Sequence, residues 1–531
     1  MKARIKQEDQ SRIFLLTGML IICVVLIAGC IPGDQSKNID AQKLQFELEL
    51  STAAADQVQA LGLDTPVQGR VFVIVSRNDE KEPREQVGVN GVPFWGRNVE
   101  GLKGGEAVML TAGEDGFRGY PFEDFNSLPA GEYYVQAFLS VYTTFNRSDG
   151  HTVSLHLNAG EGQNQWRAPG SVHSEVTKLS IDPARKTTIK LVLDTVIPPI
   201  EPLEAGDVLQ QGNPVDTDWV KYVKIKSEKL SAFWGRPMYI GANVLLPAGY
   251  DANTDRTYPA LYMQGHFPGR RAPFNFVAGA PGRGRSAGFA DYWTSGKAPE
   301  MMVISIRDAN PYYDTSYSVN SANLGPYGDA IMEELIPYLE SQFRIVSESW
   351  GRVTAGGSTG GWEALAMQMF YPDDFGGAWG WCPDAVDFNY HQIVNVYEDE
   401  NAYFTNNEWH QIERPNARSF DGNIRSTVRQ ENHMELATGA NSRSGGQWAI
   451  WEAVYGPVGE NGYPRPIWDA ETGDIDKETA AYWKSNYDLH EQLKSKWETI
   501  GPKLAGKIHI ATGDMDSYYL DNAVYLMEEF L

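Results

Sequence analysis

The chain has 531 residues, with 45 Lys+Arg against 69 Asp+Glu and a formal net charge of −24. That balance excludes a nucleic-acid binder, which needs a basic face, and a protein held on anionic membrane by polybasic segments. Hydrophobic residues at 42 % and charged residues at 21 % exclude a mostly disordered chain, and the length allows two or three domains with full cores.

Lys2, Arg4, Lys6 and Arg12 precede an apolar run from Ile13 to Ile27. A positive head before a short apolar stretch is the pattern of a signal peptide rather than a membrane span. The run ends in Leu26-Ile27-Ala28-Gly29-Cys30, which resembles a bacterial lipobox. The resemblance implies a lipoprotein signal peptide over 1–29, diacylglycerol on Cys30 and a tether over 30–42. The expected location is therefore outside the cytoplasm, lipid-anchored to the envelope membrane (the outer membrane if the cell is Gram-negative). Cys23 lies in the apolar run, so Cys382 alone remains and no internal disulfide is expected.

From 43 to 196 the pattern predicts an all-β sandwich. Leu44, Phe46, Leu48 and Leu50 alternate with polar residues, the period of a half-buried strand. Further strands are expected at 69–77, 107–112, 132–141, 152–158, 177–182 and 187–194, an arrangement of the immunoglobulin or fibronectin kind. The proline-rich stretch Ile197-Pro198-Pro199-Ile200-Glu201-Pro202 opens a linker over 197–214.

From 215 to 531 strands alternate with helices, predicting an α/β fold with a mostly parallel sheet and helices on both faces. Strands are expected at 220–231, 238–246, 259–264, 302–306, 352–357, 376–381 and 507–512. Helices are expected over 327–343, over 360–370 and from about Leu520 onward.

Between the 352–357 strand and the following helix stands Gly356-Gly357-Ser358-Thr359-Gly360, a G-x-S-x-G pattern. Such a turn forces the serine into a strained conformation that projects its hydroxyl, and Gly356 and Gly360 are needed because a Cβ would collide across it. The helix N-terminus behind it favours developing negative charge. Ser358 is thereby the candidate nucleophile.

Tyr258-Pro259-Ala260-Leu261-Tyr262-Met263-Gln264-Gly265-His266 resembles the strand and glycine-bearing loop of the putative-esterase family of α/β hydrolases (esterase D, feruloyl and enterochelin esterases). So do Leu245–Tyr250, Gly325–Asp329, Glu334–Tyr338 and Tyr371–Phe375. The resemblance implies an α/β-hydrolase fold and a serine carboxylic-ester hydrolase acting through an acyl-enzyme, without metal or cofactor. The backbone N–H of Thr359 and of His266 or Phe267 would hold the oxyanion; Pro268 has no N–H to offer. By the same match Asp516 is the orienting acid, with Asp514 and Asp384 as alternatives. The loop departs from the family, which commonly has His-Gly followed by further glycines where this chain has Gly265-His266-Phe267-Pro268-Gly269.

The family's base histidine lies beyond the acid, past one more helix, and no histidine follows Asp516. Either the product is truncated at its C-terminus, which the family match favours, or the chain is catalytically crippled; loss of the base costs about 10⁶ in turnover in another serine hydrolase. His266 is expected on the oxyanion side, and His509 packed on the sheet. His391, His410, His433 and His490 are read as solvated or locally bonded, and His151, His156 and His173 fall in the sandwich. An insertion over 384–503, carrying Trp409, Trp448, Trp451, Trp468, Trp483 and Trp497, is expected to cover the site, most of these tryptophans forming its own core. The expected partner is a small-molecule or polysaccharide-linked ester. The alternatives are a non-catalytic carbohydrate- or polymer-binding lipoprotein on a hydrolase scaffold, or a serine peptidase of the same fold.

Overall fold

The computed structural model describes residues 44–157, 164–204, 207–266, 269, 271–279, 285–407 and 409–531. The expected signal peptide over 1–29, the lipidation site Cys30 and the tether over 30–42 lie outside the described residues. Among the described residues no helix is long and apolar enough to cross a membrane.

The alternation read from the first strand is real, because Leu44, Phe46, Leu48 and Leu50 are all buried. Their strand, Leu44–Leu50, lies between Thr187–Leu193, which is parallel to it, and Ala107–Leu110, which is antiparallel. A second sheet of eight strands is built around the 16-residue strand Gly131–Asn146, paired with Val67–Ser76 along one edge. The inner faces share one core, in which the rings of Phe46, Trp95 and Phe117 meet Phe125 edge-on at 5.4, 5.8 and 5.5 Å.

Two elements escape the periodicity. The strand Phe94–Leu102 carries Gly96, Arg97 and Asn98 where a strand pattern asks for alternation; Gly96 is needed because a Cβ there would fall 2.6 Å from the Phe72 ring. The helix Thr52–Ala60 starts where the Ser51 side chain accepts the Ala54 N–H, a local cap invisible to a period-two search. Within the expected linker, Leu203–Glu204 and Asp207–Gln211 pair as a short antiparallel hairpin.

The C-terminal sheet has seven strands in the order Val220–Ser227, Met238–Leu245, Met302–Arg307, Ala260–Met263, Arg352–Gly357, Gly377–Trp381, Ile508–Ala511. The first two pairings are antiparallel and the remaining four parallel. Alternate residues face opposite sides. Val220, Leu245 and Val303 pack under Ala290 and Trp293 of the helix Arg285–Thr294, whereas Ile240, Val244 and Ile304 pack with Leu230, Trp234, Ile331 and Leu339 on the other side. Helices thus cover both faces, as buried parallel strands require.

The first strand stops at Ser227, earlier than expected, because the Ser227 hydroxyl caps the helix Glu228–Trp234 through the Leu230 N–H. The helix expected over 327–343 runs as Tyr327–Ala330, a π turn over Ile331–Leu335, and Ile336–Gln342. Pro337 has no N–H to donate, and the wider turn before it absorbs that loss.

Residues 42–531 form one compact unit. The N-terminal strands grip the insertion directly. The buried Arg70 guanidinium donates to the Ala437 carbonyl at 2.9 and 3.1 Å, near the C-terminus of the helix Val428–Thr438, and to Gly96 O and Asn98 Oδ1. A cation at that end also meets the negative pole of the helix dipole. Arg118 pairs with Glu471, and the Asn90 amide donates to the Arg425 carbonyl.

The helix Thr359–Phe370 is buried on nearly every side, which places Glu363 wholly inside the protein. Burial, with Asp308 beside it, pushes the Glu363 carboxyl well above the usual carboxylate range, and burial raises Asp308 too.

Two outcomes follow from these buried charges. Arg70→Met strips the Ala437 carbonyl of both guanidinium donors and should lower unfolding free energy by about 2 kcal/mol, read as a lower denaturant midpoint with unchanged slope. Glu363 keeps a proton in the native state that the unfolded chain releases above its ordinary glutamate pKa. Its contribution to stability is therefore lost as pH rises from that value through the raised native one. Glu363→Gln should narrow the drop in melting temperature between acidic and mildly alkaline buffer; an unchanged drop in a calorimetric pH series would contradict this.

Candidate active site

Ser358 sits at the C-terminal end of the parallel strand Arg352–Gly357 with φ +56° and ψ −126°, a region costly for any residue with a Cβ. It is solvent-exposed, and the helix Thr359–Phe370 begins immediately after it. Its carbonyl accepts the N–H groups of Gly361 and Asp384, and its N–H donates to Trp381 O on the adjacent strand. Both glycines read from the sequence are required. A Cβ on Gly356 would lie 2.2 Å from Gly360 O, and one on Gly360 would lie 2.4 Å from Gln264 O. The second clash shows that the chain entering the 265–269 loop is pressed against the first turn of the helix. Thr359 is the first residue of that helix, so its N–H has no partner within the helix.

Of the three acids weighed, Asp384 is the one beside the serine. The Ser358 hydroxyl donates to Asp384 Oδ1 at 3.3 Å, while Oδ2 receives Thr359 Oγ1 at 2.9 Å, Tyr317 OH at 3.1 Å and Trp451 Nε1 at 3.1 Å. Burial pushes the Asp384 carboxyl above its ordinary value, opposed by the His266 charge and by these donors. Asp516 follows Ile508–Ala511, two strands from the serine's own, and its Oδ1 accepts the N–H groups of Tyr518 and Leu520 in its own turn. Asp514 accepts the Tyr525 hydroxyl.

His266 is a quarter exposed, with Nδ1 3.0 Å from Oδ1 of the buried Asp314. Burial disfavours its charged form, but the charge and hydrogen bond of Asp314, then the charge of Asp384 and the Gln447 side chain, outweigh burial and raise its pKa. Phe267, the alternative oxyanion donor, lies outside the described residues.

A segment the sequence gave no reason to single out, residues 308–318, organises this cluster. Asp308 accepts Thr315 Oγ1, the Ser316 N–H and the Ser316 hydroxyl. Asn310 closes the turn, its N–H donating to Asp314 O and its amide to Thr315 O. Tyr313, Tyr317 and Ser318 all have positive φ. From this turn Asp314 reaches His266, Tyr317 reaches Asp384, and Ser318 Oγ donates to Gln264 Oε1 at 3.1 Å. An Asp or Tyr in a loop carries no period or spacing, and no sequence signal marks this role.

The other histidines divide. His391 is not solvated: it is buried among Phe388, Trp448, Trp451 and Trp483, and burial pushes its imidazole down to about 3. His490 is likewise buried, with Nδ1 2.5 Å from Asp387 Oδ2. His410 is exposed, His433 is half-buried against the Tyr403 ring, and His509 stacks on Trp379 at 4.5 Å. In the insertion Trp448, Trp451, Trp468 and Trp483 are core, while Trp409 and Trp497 are exposed. Trp451 does both, packing the core and donating to Asp384. Among the described residues no three His, Cys, Asp or Glu side chains gather to hold a metal ion.

No curated protein matches the chain. Among solved structures it is similar to a ferulic acid esterase (16% identity, 59% of this chain and 97% of that one, TM-score 0.26). It is also similar to an S-formylglutathione hydrolase from Agrobacterium tumefaciens (10%, 59% and 95%, 0.28). A third is the enterobactin esterase from Shigella flexneri (13%, 62% and 69%, 0.25). The segment that holds the elbow, Asp384 and the 308–318 turn is also the segment that matches a family model: residues 235–438 match the family described as "Putative esterase".

Proposed function

We propose that this chain is a serine carboxylic-ester hydrolase of the α/β-hydrolase fold, acting outside the cytoplasm on a lipid anchor at Cys30. The observation that carries the catalytic reading is the Ser358 hydroxyl, held exposed at positive φ at the mouth of a helix N-terminus. Ser358 Oγ attacks the ester carbonyl carbon while its proton passes to an imidazole base, and the carbonyl oxygen takes up the negative charge. The N–H of Thr359 and an amide of the 266–267 loop receive it, aided by the helix dipole. The tetrahedral intermediate collapses as the imidazolium gives its proton to the departing oxygen and the alcohol leaves; water then attacks the acyl-enzyme, loses a proton to the same imidazole, and the acid is released as that proton returns to Ser358 Oγ. Asp384 fixes the direction of the hydroxyl. Asp516 keeps the role of orienting carboxylate for an imidazole base, and no histidine is hydrogen-bonded to it among the described residues. An oriented hydroxyl without its base predicts covalent reactivity toward strong electrophiles but slow turnover.

A fluorophosphonate probe should label the wild-type chain at Ser358 and leave Ser358→Ala and Gly360→Ala unlabelled. Retention on a polysaccharide column without any labelling would instead support the binding-protein alternative. Ester turnover by the 531-residue chain should be slow and should rise several-fold with added imidazole, in a Ser358-dependent way; ordinary rates without imidazole would refute the missing-base reading. Asp384→Asn should slow labelling by about tenfold or more, with the fold intact by circular dichroism.

A further inference from the structure

The N-terminal strands approach the site through Tyr313, the residue before Asp314. Its ring stacks on His156 at 4.4 Å with the planes 10° apart, and its hydroxyl is 3.0 Å from Ser140 Oγ on the strand Gly131–Asn146. Gly445, between the helices Val428–Thr438 and Gln447–Tyr455, closes the other side: a Cβ there would fall 3.1 Å from Tyr313 Cβ. Tyr313 is fully buried at φ +67°, a conformation that persists only where contacts over-determine it. Its N–H donates to Asn310 O, and the Asn310 N–H donates to Asp314 O, so the ring and the Asp314 carboxylate belong to one closed turn.

We propose that the N-terminal β-layer is a positioning element of the active site, its His156–Tyr313 stack and Ser140 bond holding the turn that places Asp314 against His266. This rests on the ester-hydrolase reading for its catalytic consequence. His266 follows the strand Ala260–Met263 and is itself one of the two proposed oxyanion donors of its loop, so a carboxylate that fixes the imidazole also steadies the His266 backbone N–H. Loss of the stack would free the turn, lengthen the Asp314–His266 contact and loosen the oxyanion side while leaving Ser358 and its glycines in place. His156 cannot confuse the titration, because burial pushes its imidazole down to about 3, the hydrogen bond to the Val141 backbone opposing the shift only in part. The titratable groups facing His266 among the described residues are Asp314 from the turn and Asp384 from beyond the strand Gly377–Trp381, and the Gln447 side chain completes its polar surroundings.

The test is a histidine titration by NMR on the full chain with isotope-labelled histidine, the His266 signal being assigned by its loss in His266→Gln. Wild type should titrate above an ordinary histidine. His156→Ala should lower that midpoint by about half a pH unit or more and slow fluorophosphonate labelling of Ser358, while His156→Phe, which keeps a flat ring on Tyr313, should restore both. If His156→Ala does not fold, Ser140→Ala removes only the hydroxyl bond and should produce a smaller shift in the same direction. An unmoved His266 midpoint in folded His156→Ala, or in Ser140→Ala where that variant replaces it, overturns the proposal. Absence of labelling in wild type would instead refute the ester-hydrolase reading, and the His266 midpoint would still decide whether the clamp exists.

Discussion

One buried carboxylate ties the site together. Asp384 receives hydrogen bonds from Ser358 in the elbow, Thr359 in the helix behind it, Tyr317 in the 308–318 turn and Trp451 in the insertion. These donors come from three separate stretches of chain, the elbow with its helix, the turn and the insertion, and each is buried or fixed by its own backbone. A carboxylate removed from water is costly unless such donors replace its hydration. That cost forces the three stretches into one arrangement, because displacement of any one of them leaves Asp384 under-solvated. The insertion is therefore a structural part of the site as well as a cover for it.

The 308–318 turn extends the same logic outward. Its inner side is anchored by Asp308, itself a buried carboxylate whose partners are Thr315 and Ser316 in the turn. Its outer side meets the N-terminal strands at Tyr313. Three residues with positive φ are held between these two anchors, and strained backbone of this kind is stable only while both sides are in place. The Arg70 contact to the end of the helix Val428–Thr438 performs a similar service for the insertion. The β-rich part touches the catalytic half at several such points, and a flexibly tethered module would leave those points unpaired.

What the sequence made legible follows from where the constraint is local. The elbow could be read from its own residues, because the Cβ that Gly356 excludes would strike Gly360 four positions on; the need for Gly360 also has a tertiary source, the Gln264 carbonyl, that the sequence does not show. The strands with clean alternation were equally readable, and Phe94–Leu102 was not, since the packing of Gly96 against the Phe72 ring is a tertiary fact. Asp384 was only one of three acids in sequence. It is singled out by a hydrogen bond across 26 residues and by the buried donors around it. Asp314 and Tyr317 left no trace, because their roles depend on a turn whose partners lie 48 and 67 residues away. His391 was misread for a related reason: an imidazole can lie in an aromatic box built from residues 57 to 92 positions further on, and composition does not show it.

Under the proposed function, charge is arranged along the direction in which the reaction moves it. An anion beside the nucleophile taken alone would help the hydroxyl proton leave but would oppose negative charge appearing on the substrate. The opposing effect is softened because burial makes Asp384 reluctant to stay ionised, and because His266 faces it from the oxyanion side with a raised affinity for its proton. Interactions of this kind gain weight where water is excluded, as the near-complete burial of Asp384, Asp314 and Thr359 ensures. The Asp314–His266 pair is thus the counterweight that lets a carboxylate stand next to the serine. A site with Asp384 but no imidazole of raised proton affinity across from it would orient its nucleophile and at the same time raise the barrier that nucleophile must cross.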